Sequence, residues 1–412
     1  MCKQSVVLII LIVLGTATMS AAQRDIGADR RIERLEAEMA NLQAELSQLK
    51  AEQAGTAQEK ANAEPVPEWI RRIKIKGDLR YRHEWTDAEF ELKDRNRDRL
   101  RARLGIYGQV NDEIDVGFGL ASGNNESATG TNQDLTDAFS SKDVWLDLAF
   151  FDYCPAFADG LRVLGGKFQN PYFRVGNSDL LFDTDVRPEG FAATYKTPID
   201  DGADVFGAVG AHCVEERRTD ADASLWAVQA GLSCCPEALG GACVTAGAGY
   251  FDYGNTEGKL ALGTSLLNFR GNDSTGGVYD SDFDIAQLFV EVALSMWERP
   301  AKVFAEHLKN TSAASGQDAG YLLGACVGKC KQPGDWQLAY NYRDLEADVA
   351  IGALAEATFA GGGTAVKGHK IAFAYQLAKN LQFAATYMPA ERTRLNATTD
   401  HDVLLADLKL KF

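Results

Sequence analysis

From Trp69 onward, apolar and polar residues alternate with a period of two. The segment IKIKGDLRYRHEW, residues 73–85, sets the pattern. Ile73, Ile75, Gly77, Leu79, Tyr81, His83 and Trp85 fall on one face, and Lys74, Lys76, Asp78, Arg80, Arg82 and Glu84 fall on the other. Such a period is the signature of a β-strand whose two faces meet different surroundings. Alternation bounded by turn residues predicts sixteen strands, near 72–86, 97–110, 113–122, 142–153, 161–168, 189–196, 203–212, 223–232, 242–251, 283–295, 300–308, 319–328, 335–344, 366–377, 380–388 and 401–411.

The links between these strands sort by parity. After even-numbered strands they are short, as in NDE, ERP, KQPGD and KN, whereas after odd-numbered strands they are mostly long. A soluble sandwich has no reason to sort its loops this way. A transmembrane β-barrel does, because its turns lie on one side of the membrane and its long loops on the other. The even count returns both ends of the barrel to the short-turn, periplasmic side. In the last strand, VLLADLKLKF, Leu404, Ala406, Leu408, Leu410 and Phe412 share one face, with Asp407, Lys409 and Lys411 opposite. Closure in lipid requires that this strand pair with the first, since an open edge would leave backbone groups unsatisfied.

Two other patterns precede the strands. Lys3, the apolar run VVLIILIVLG and the small residues of TATMSAAQ match a secretory signal peptide with cleavage after Ala22. The alternative, an uncleaved anchor, needs a run of about 20 apolar residues. Next, Ile32, Leu35, Met39, Leu42, Leu46 and Leu49 recur at spacings of three and four, the seam of a short coiled coil over 23–54. The alternative is an amphipathic helix lying on a surface. Residues 55–68, rich in Ala, Glu and Gln with Pro65 and Pro67, read as a linker, and 69–412 as the barrel.

Composition narrows the function classes. The formal net charge of −16 excludes a nucleic-acid partner, because neutralising phosphates takes a basic surface. Residues 23–68 carry 6 basic and 10 acidic side chains and Lys3 leaves with the signal, so 69–412 keep −13, a lean toward cations. Of 8 cysteines, Cys2 also leaves with the signal. Cys234, Cys235 and Cys243 flank one short turn and could close it, while Cys326 and Cys330 are too far apart on a strand to bridge each other. No spacing suggests a catalytic pair, a metal site or a cofactor site. His83 reads as an interfacial residue, and the run Gly361, Gly362, Gly363, Thr364, lacking the Lys of a phosphate loop, reads as a flexible outer loop.

With its signal peptide, aromatic carboxyl terminus, sixteen strands and long link after the fifth, the chain resembles the bacterial outer-membrane porins, in particular porins with an N-terminal coiled coil. The resemblance implies a water-filled channel for ions and small hydrophilic solutes in the outer membrane of a Gram-negative bacterium, and a homotrimer. It also implies that the loop near 170–188 folds into the lumen as a constriction. That loop carries Arg174, Asp179, Asp183, Asp185 and Arg187, and its Leu180, Leu181 and Phe182 suit an inward position; a short exposed helix is the alternative. Facing lipid, an Arg or Lys near the midplane costs about 2–4 kcal/mol, so Lys74, Lys76, Arg80, Arg82, Arg99, Arg101 and Arg103 are expected to line the lumen as a basic wall. An acidic loop opposite that wall would set up a transverse field; ordinary charges solvated by pore water are the bland alternative. A second function class stays open, a structural tether that reaches the cell wall through the coiled coil.

Overall fold

A computed structural model describes residues 34, 37–50, 68–89, 93–123, 128–236, 240–263, 269–394 and 397–412. The chain divides into two units, Met1–Pro67 and Glu68–Phe412. In the first, residues 37–50 form a helix on which Met39, Leu42, Leu46 and Leu49 are each more than half exposed, an apolar stripe with no partner in the chain among the described residues. The remaining seam positions, Ile32 and Leu35, lie outside the described residues, as do the signal peptide and nearly all of the linker.

The second unit opens with a short helix, Glu68–Arg71. Sixteen antiparallel strands follow: β1 (Ile73–Ala88), β2 (Arg95–Gln109), β3 (Ile114–Ser122), β4 (Val144–Tyr153), β5 (Leu161–Lys167), β6 (Glu189–Asp200), β7 (Ala203–Glu215) and β8 (Ala223–Cys234). The second half comprises β9 (Cys243–Gly254), β10 (Phe283–Met296), β11 (Arg299–Asn310), β12 (Ala319–Gly328), β13 (Trp336–Leu345), β14 (Val366–Ala378), β15 (Leu381–Met388) and β16 (Ala397–Lys411). Each pairs with its neighbours in sequence, and β1 pairs with β16 from Asp78↔Lys411 to Ala88↔His401, which closes the barrel. Pro389, which has no N–H to give to a ladder, ends β15, and Ala390–Arg394 continues its line between β14 and β16.

Closure depends on a glycine. Phe412 exchanges backbone hydrogen bonds of 3.0 Å with Gly77. The Arg103 carbonyl would lie 2.7 Å from a Cβ on residue 77 and the Phe412 ring occupies the same space, which favours glycine there. The alternation does what the sequence requires. Ile75, Leu79, Tyr81, Leu104, Ile106 and Leu408 are exposed on the outer face, whereas Arg80, Arg82, Glu84 and Asp407 are buried within.

Inside, the barrel is far from empty. The loops 168–188, 255–282 and 346–365 contribute Val175, Leu180, Phe182, Phe269, Tyr279, Val349, Ile351 and Phe359 to one buried core, which packs against inward side chains such as Phe251, Phe283, Ile285 and Phe304 of β9 to β11. The last loop corrects the sequence reading of Gly361 to Thr364. Instead of a flexible outer run, Gly362, Gly363 and Thr364 are buried, and Gly363 (φ 92°) abuts the Arg270 carbonyl too closely for a Cβ. At the opposite, short-turn end, Cys235 and Cys243 form a disulfide across the β8–β9 turn; Cys154, Cys213, Cys234, Cys326 and Cys330 are free.

Candidate functional site

Register brings the basic residues of the first two strands together. Arg80 pairs with Arg101 and Arg82 with Arg99 across β1 and β2, so four guanidinium groups share one inner patch. Uncompensated, such crowding would be costly, and carboxylates relieve it. Arg82 donates to both oxygens of Asp407 on β16, at 2.6 and 2.8 Å. Asp78 accepts from Arg101 at 2.7 Å and Arg103 at 2.7 Å, and Glu84 from Arg97 and, at 3.2 Å, Arg99. Asp134, on a two-residue strand beside β2, lies 2.7 Å from Arg99. Arg80 has no carboxylate partner of this kind among the described residues; it donates to Asn132 at 2.5 Å. Lys74 and Lys76 occupy the same face but lie exposed at the start of β1, where Lys76 sits 5.5 Å over the Tyr107 ring. Sequence reasoning found the arginines and missed Asp78, Glu84, Asp134 and Asp407 as their partners, although Asp78 and Glu84 stand in the same alternating column.

The 168–188 loop runs inside the barrel between this patch and the opposite wall. Its backbone is clamped by a buried polar ladder. The Gln229 side chain accepts the Phe173 N–H at 2.7 Å and donates back to the Phe173 carbonyl at 3.0 Å. Gln229 also donates to Gln287 at 2.8 Å, Gln287 donates to Glu306 at 2.6 Å, and Glu291 accepts the Gly176 N–H at 2.8 Å. Val175, Leu180 and Phe182 add the apolar share of the anchoring.

The acidic residues of the loop divide between two walls. Asp185 faces the arginine patch, 3.4 Å from Arg103, and accepts the Thr131 hydroxyl at 2.7 Å. Burial pushes its pKa up, but Thr131, Arg101 and Arg103 outweigh burial and hold it below the usual carboxylate range. Asp179 faces the other way, 3.0 Å from Arg343 on β13 and 3.3 Å from Lys370 on β14. Burial opposes its charge, yet Lys370 and Arg343 keep the carboxyl well below its ordinary range. Asp183 reaches neither wall: its oxygens accept the N–H groups of Asp185 at 2.8 Å and Ala357 at 3.0 Å. Burial and then the charge of Asp185 push it up to about 7, against those two donors. Arg187 lies 3.3 Å from Asp147, and Arg174 donates to the Ser178 carbonyl at 2.6 Å; both also add to the positive charge that favours ionised Asp185 and Asp179.

Two features lay beyond the sequence reading. Arg343 is almost wholly buried, binds Asp179 and Glu356 and stacks 4.5 Å over Phe359. Loop 346–365 is tied to loop 168–188 through Asp183 N–H to Leu354 O at 2.8 Å and Glu356 N–H to Asp179 O at 3.2 Å. It is tied to loop 255–282 through the Asn272 amide, which donates to Ala347 O and Ala350 O at 2.7 Å each. The available signal was the apolar stretch VAIGALAEATFA, residues 349–360, too apolar for a loop in solvent.

The family described as "Putative porin" matches residues 89–276 and 278–412. The chain belongs to this porin family. Such a porin is a channel-forming barrel of the outer membrane. No curated protein matches the sequence. Among solved structures, Pseudomonas putida OprB, in its high-pH structure, aligns with a TM-score of 0.55 at 11% identity, over 83% of this chain and 95% of OprB. Salmonella typhi OmpF, solved in complex with daunomycin, aligns with a TM-score of 0.50 at 14% identity, over 82% of this chain and 97% of OmpF. At these identities the likeness is one of fold, the closed sixteen-stranded barrel.

Proposed function

We propose that this porin passes ions and small hydrophilic solutes by passive diffusion, with the 168–188 loop as its constriction and Arg80, Arg82, Arg99, Arg101 and Arg103 on the conducting wall. The observation that carries this reading is the contact of Asp185 with Arg103 on one wall while Asp179 meets Arg343 and Lys370 on another. A loop pinned at both ends of a charged bridge narrows the bore and lays opposite charges across it, which orients polar solutes and hinders bulky apolar ones. The reading also takes the mature chain to form a homotrimer, with the coiled coil in the periplasm. A structural tether, with the barrel chiefly an anchor, draws support from the apolar core that the three loops build inside the barrel.

Planar-bilayer recording separates the two. Stepwise conductance is expected from the purified folded protein, and its absence across well-folded preparations would leave the tether. Replacing Arg80, Arg101 and Arg103 together by Gln is expected to shift the reversal potential in a salt gradient toward cations, the more so because Asp78 loses both of its partners. An unchanged potential would take these residues off the conducting wall.

A further inference from the structure

A second basic cluster stands apart from the β1–β2 patch, on the inner face where β15 is broken. Past Pro389, Ala390, Arg392 and Arg394 alternate inward; Ala390 belongs to the interior core, and Arg392 lies opposite Val366 on β14 and Thr399 on β16. His401 follows Thr399 on the same face and is buried. Arg394 donates to the carbonyl oxygens of Gly362 and Thr364, each at 2.9 Å. These neutral acceptors hold the group in place and leave its charge uncancelled.

Arg392 adds a like charge on the same inner face as Arg394. Nearby carboxylates are otherwise engaged. Glu391 binds Lys367 at 3.1 Å, Asp402 accepts the Tyr387 hydroxyl at 2.6 Å, and Glu84 is held by Arg97 and Arg99. The Nδ1 atom of His401 is buried without a hydrogen-bond partner among the described residues. Gly361 (φ 77°) covers neither group: a Cβ there would lie 2.9 Å from Arg392 Nη1 and 3.2 Å from His401 Nε2. A side chain at this exposed position would cover both groups.

Like charges held together in the barrel interior call for an anion. A multivalent oxyanion suits the group best, because it offers oxygens to two guanidinium forks and to an imidazole N–H at once, whereas chloride or a single carboxylate cancels less charge. We propose that Arg392, Arg394 and His401 form a binding site, at the long-loop end of the barrel, for a soluble oxyanion of the phosphate class, free or as a monoester. In the channel reading, on which this role rests, the site concentrates phosphate-bearing solutes at the mouth; binding itself does not require conduction.

Calorimetric titration of the purified full-length protein with inorganic phosphate at low chloride tests the site. Saturable binding is expected, weakened about a hundredfold by Arg392→Gln with Arg394→Gln, roughly tenfold for each charge-assisted contact removed. Lys379→Gln removes the same charge at an exposed position in the short β14–β15 turn and is expected to leave binding intact. No saturable heat from the wild type, or an equal loss in Lys379→Gln, overturns the site. Should the double variant fail to fold, Arg392→Gln alone carries the comparison, since Gly361 leaves that guanidinium uncovered. Phosphatidic acid in the micelles competing as well as free phosphate would overturn the assignment to a soluble solute. In bilayers, phosphate is expected to reduce the chloride current of the wild type and not of the double variant. A protein that binds phosphate but passes no current would sink the channel reading and leave the site standing.

Discussion

Asp183 is the residue at which the docking of the 168–188 loop is expected to respond to pH. Its carboxyl is pushed up to about 7 by burial and by Asp185, so in the folded state it keeps a proton over a range where an unfolded Asp, near pH 4, has lost it. A group raised in this way favours the docked loop most at low pH, and that share is lost as pH rises toward 7. Asp179 and Asp185 are lowered, so their share is lost only as pH falls below the ordinary carboxylate range. Protection of the 168–188 backbone amides, taken relative to their intrinsic exchange rate at each pH, is therefore expected to be higher at pH 5 than at pH 8. Asp183→Asn should flatten that difference in protection; a difference that survives the substitution would assign it to another group. None of this was legible in the sequence, where Asp179, Asp183 and Asp185 look alike. Their separate roles come from partners more than a hundred residues away, Arg343, Lys370 and Ala357, or at Arg103 on the opposite side of the barrel.

At the scale of elements, the strands were readable because the bilayer acts on each of them locally. Outward positions near the midplane are apolar and every backbone group must pair, so a period of two survives along all sixteen. The loops obey no such local rule. Loops 255–282 and 346–365 turn inward because their apolar residues bury against one another and against the β9–β11 wall, which is settled only when the barrel closes. The β8–β9 turn lies between these cases. Its three cysteines marked a possible clip, and the strand register selects Cys235 with Cys243 by setting Cys234 opposite Val244. Since the loop it closes is short, with a separation of 8 residues, replacing both cysteines by Ser should cost about 2–3 kcal/mol, chiefly through the unfolded chain. The check is the denaturant midpoint of the folded band; an unchanged midpoint would mean the clip adds nothing to stability.

For the whole molecule, the exposed stripe of Met39, Leu42, Leu46 and Leu49 is the feature that a single chain leaves unfinished. Leucine-rich stripes of this width are covered by helices of the same kind, and three heptads are marginal without help from a further interface. In the homotrimer proposed for this porin, removing residues 23–54 should leave each barrel folded and shift the assembly toward monomers on dilution in mild detergent. Sedimentation would read that shift; trimers equally persistent without the segment would show that the barrels hold one another alone.

What the sequence determined by itself is the outline: a signal-like start, a heptad seam, sixteen strands, their inner and outer faces, and loops sorted by length. Each follows from a constraint that acts within a few residues, a helical or strand period set against lipid or water. Only the tertiary structure decided which charges meet. Arg82 and Asp407 are separated by 325 positions and become neighbours because β16 returns to β1. Arg392 and Arg394 share a face by simple alternation, but only the fold sets Gly361 of a distant loop against Arg392 and His401. Ion pairing depends on distances of a few ångströms between strands that the chain connects only by going around the whole barrel, and no local pattern carries that information.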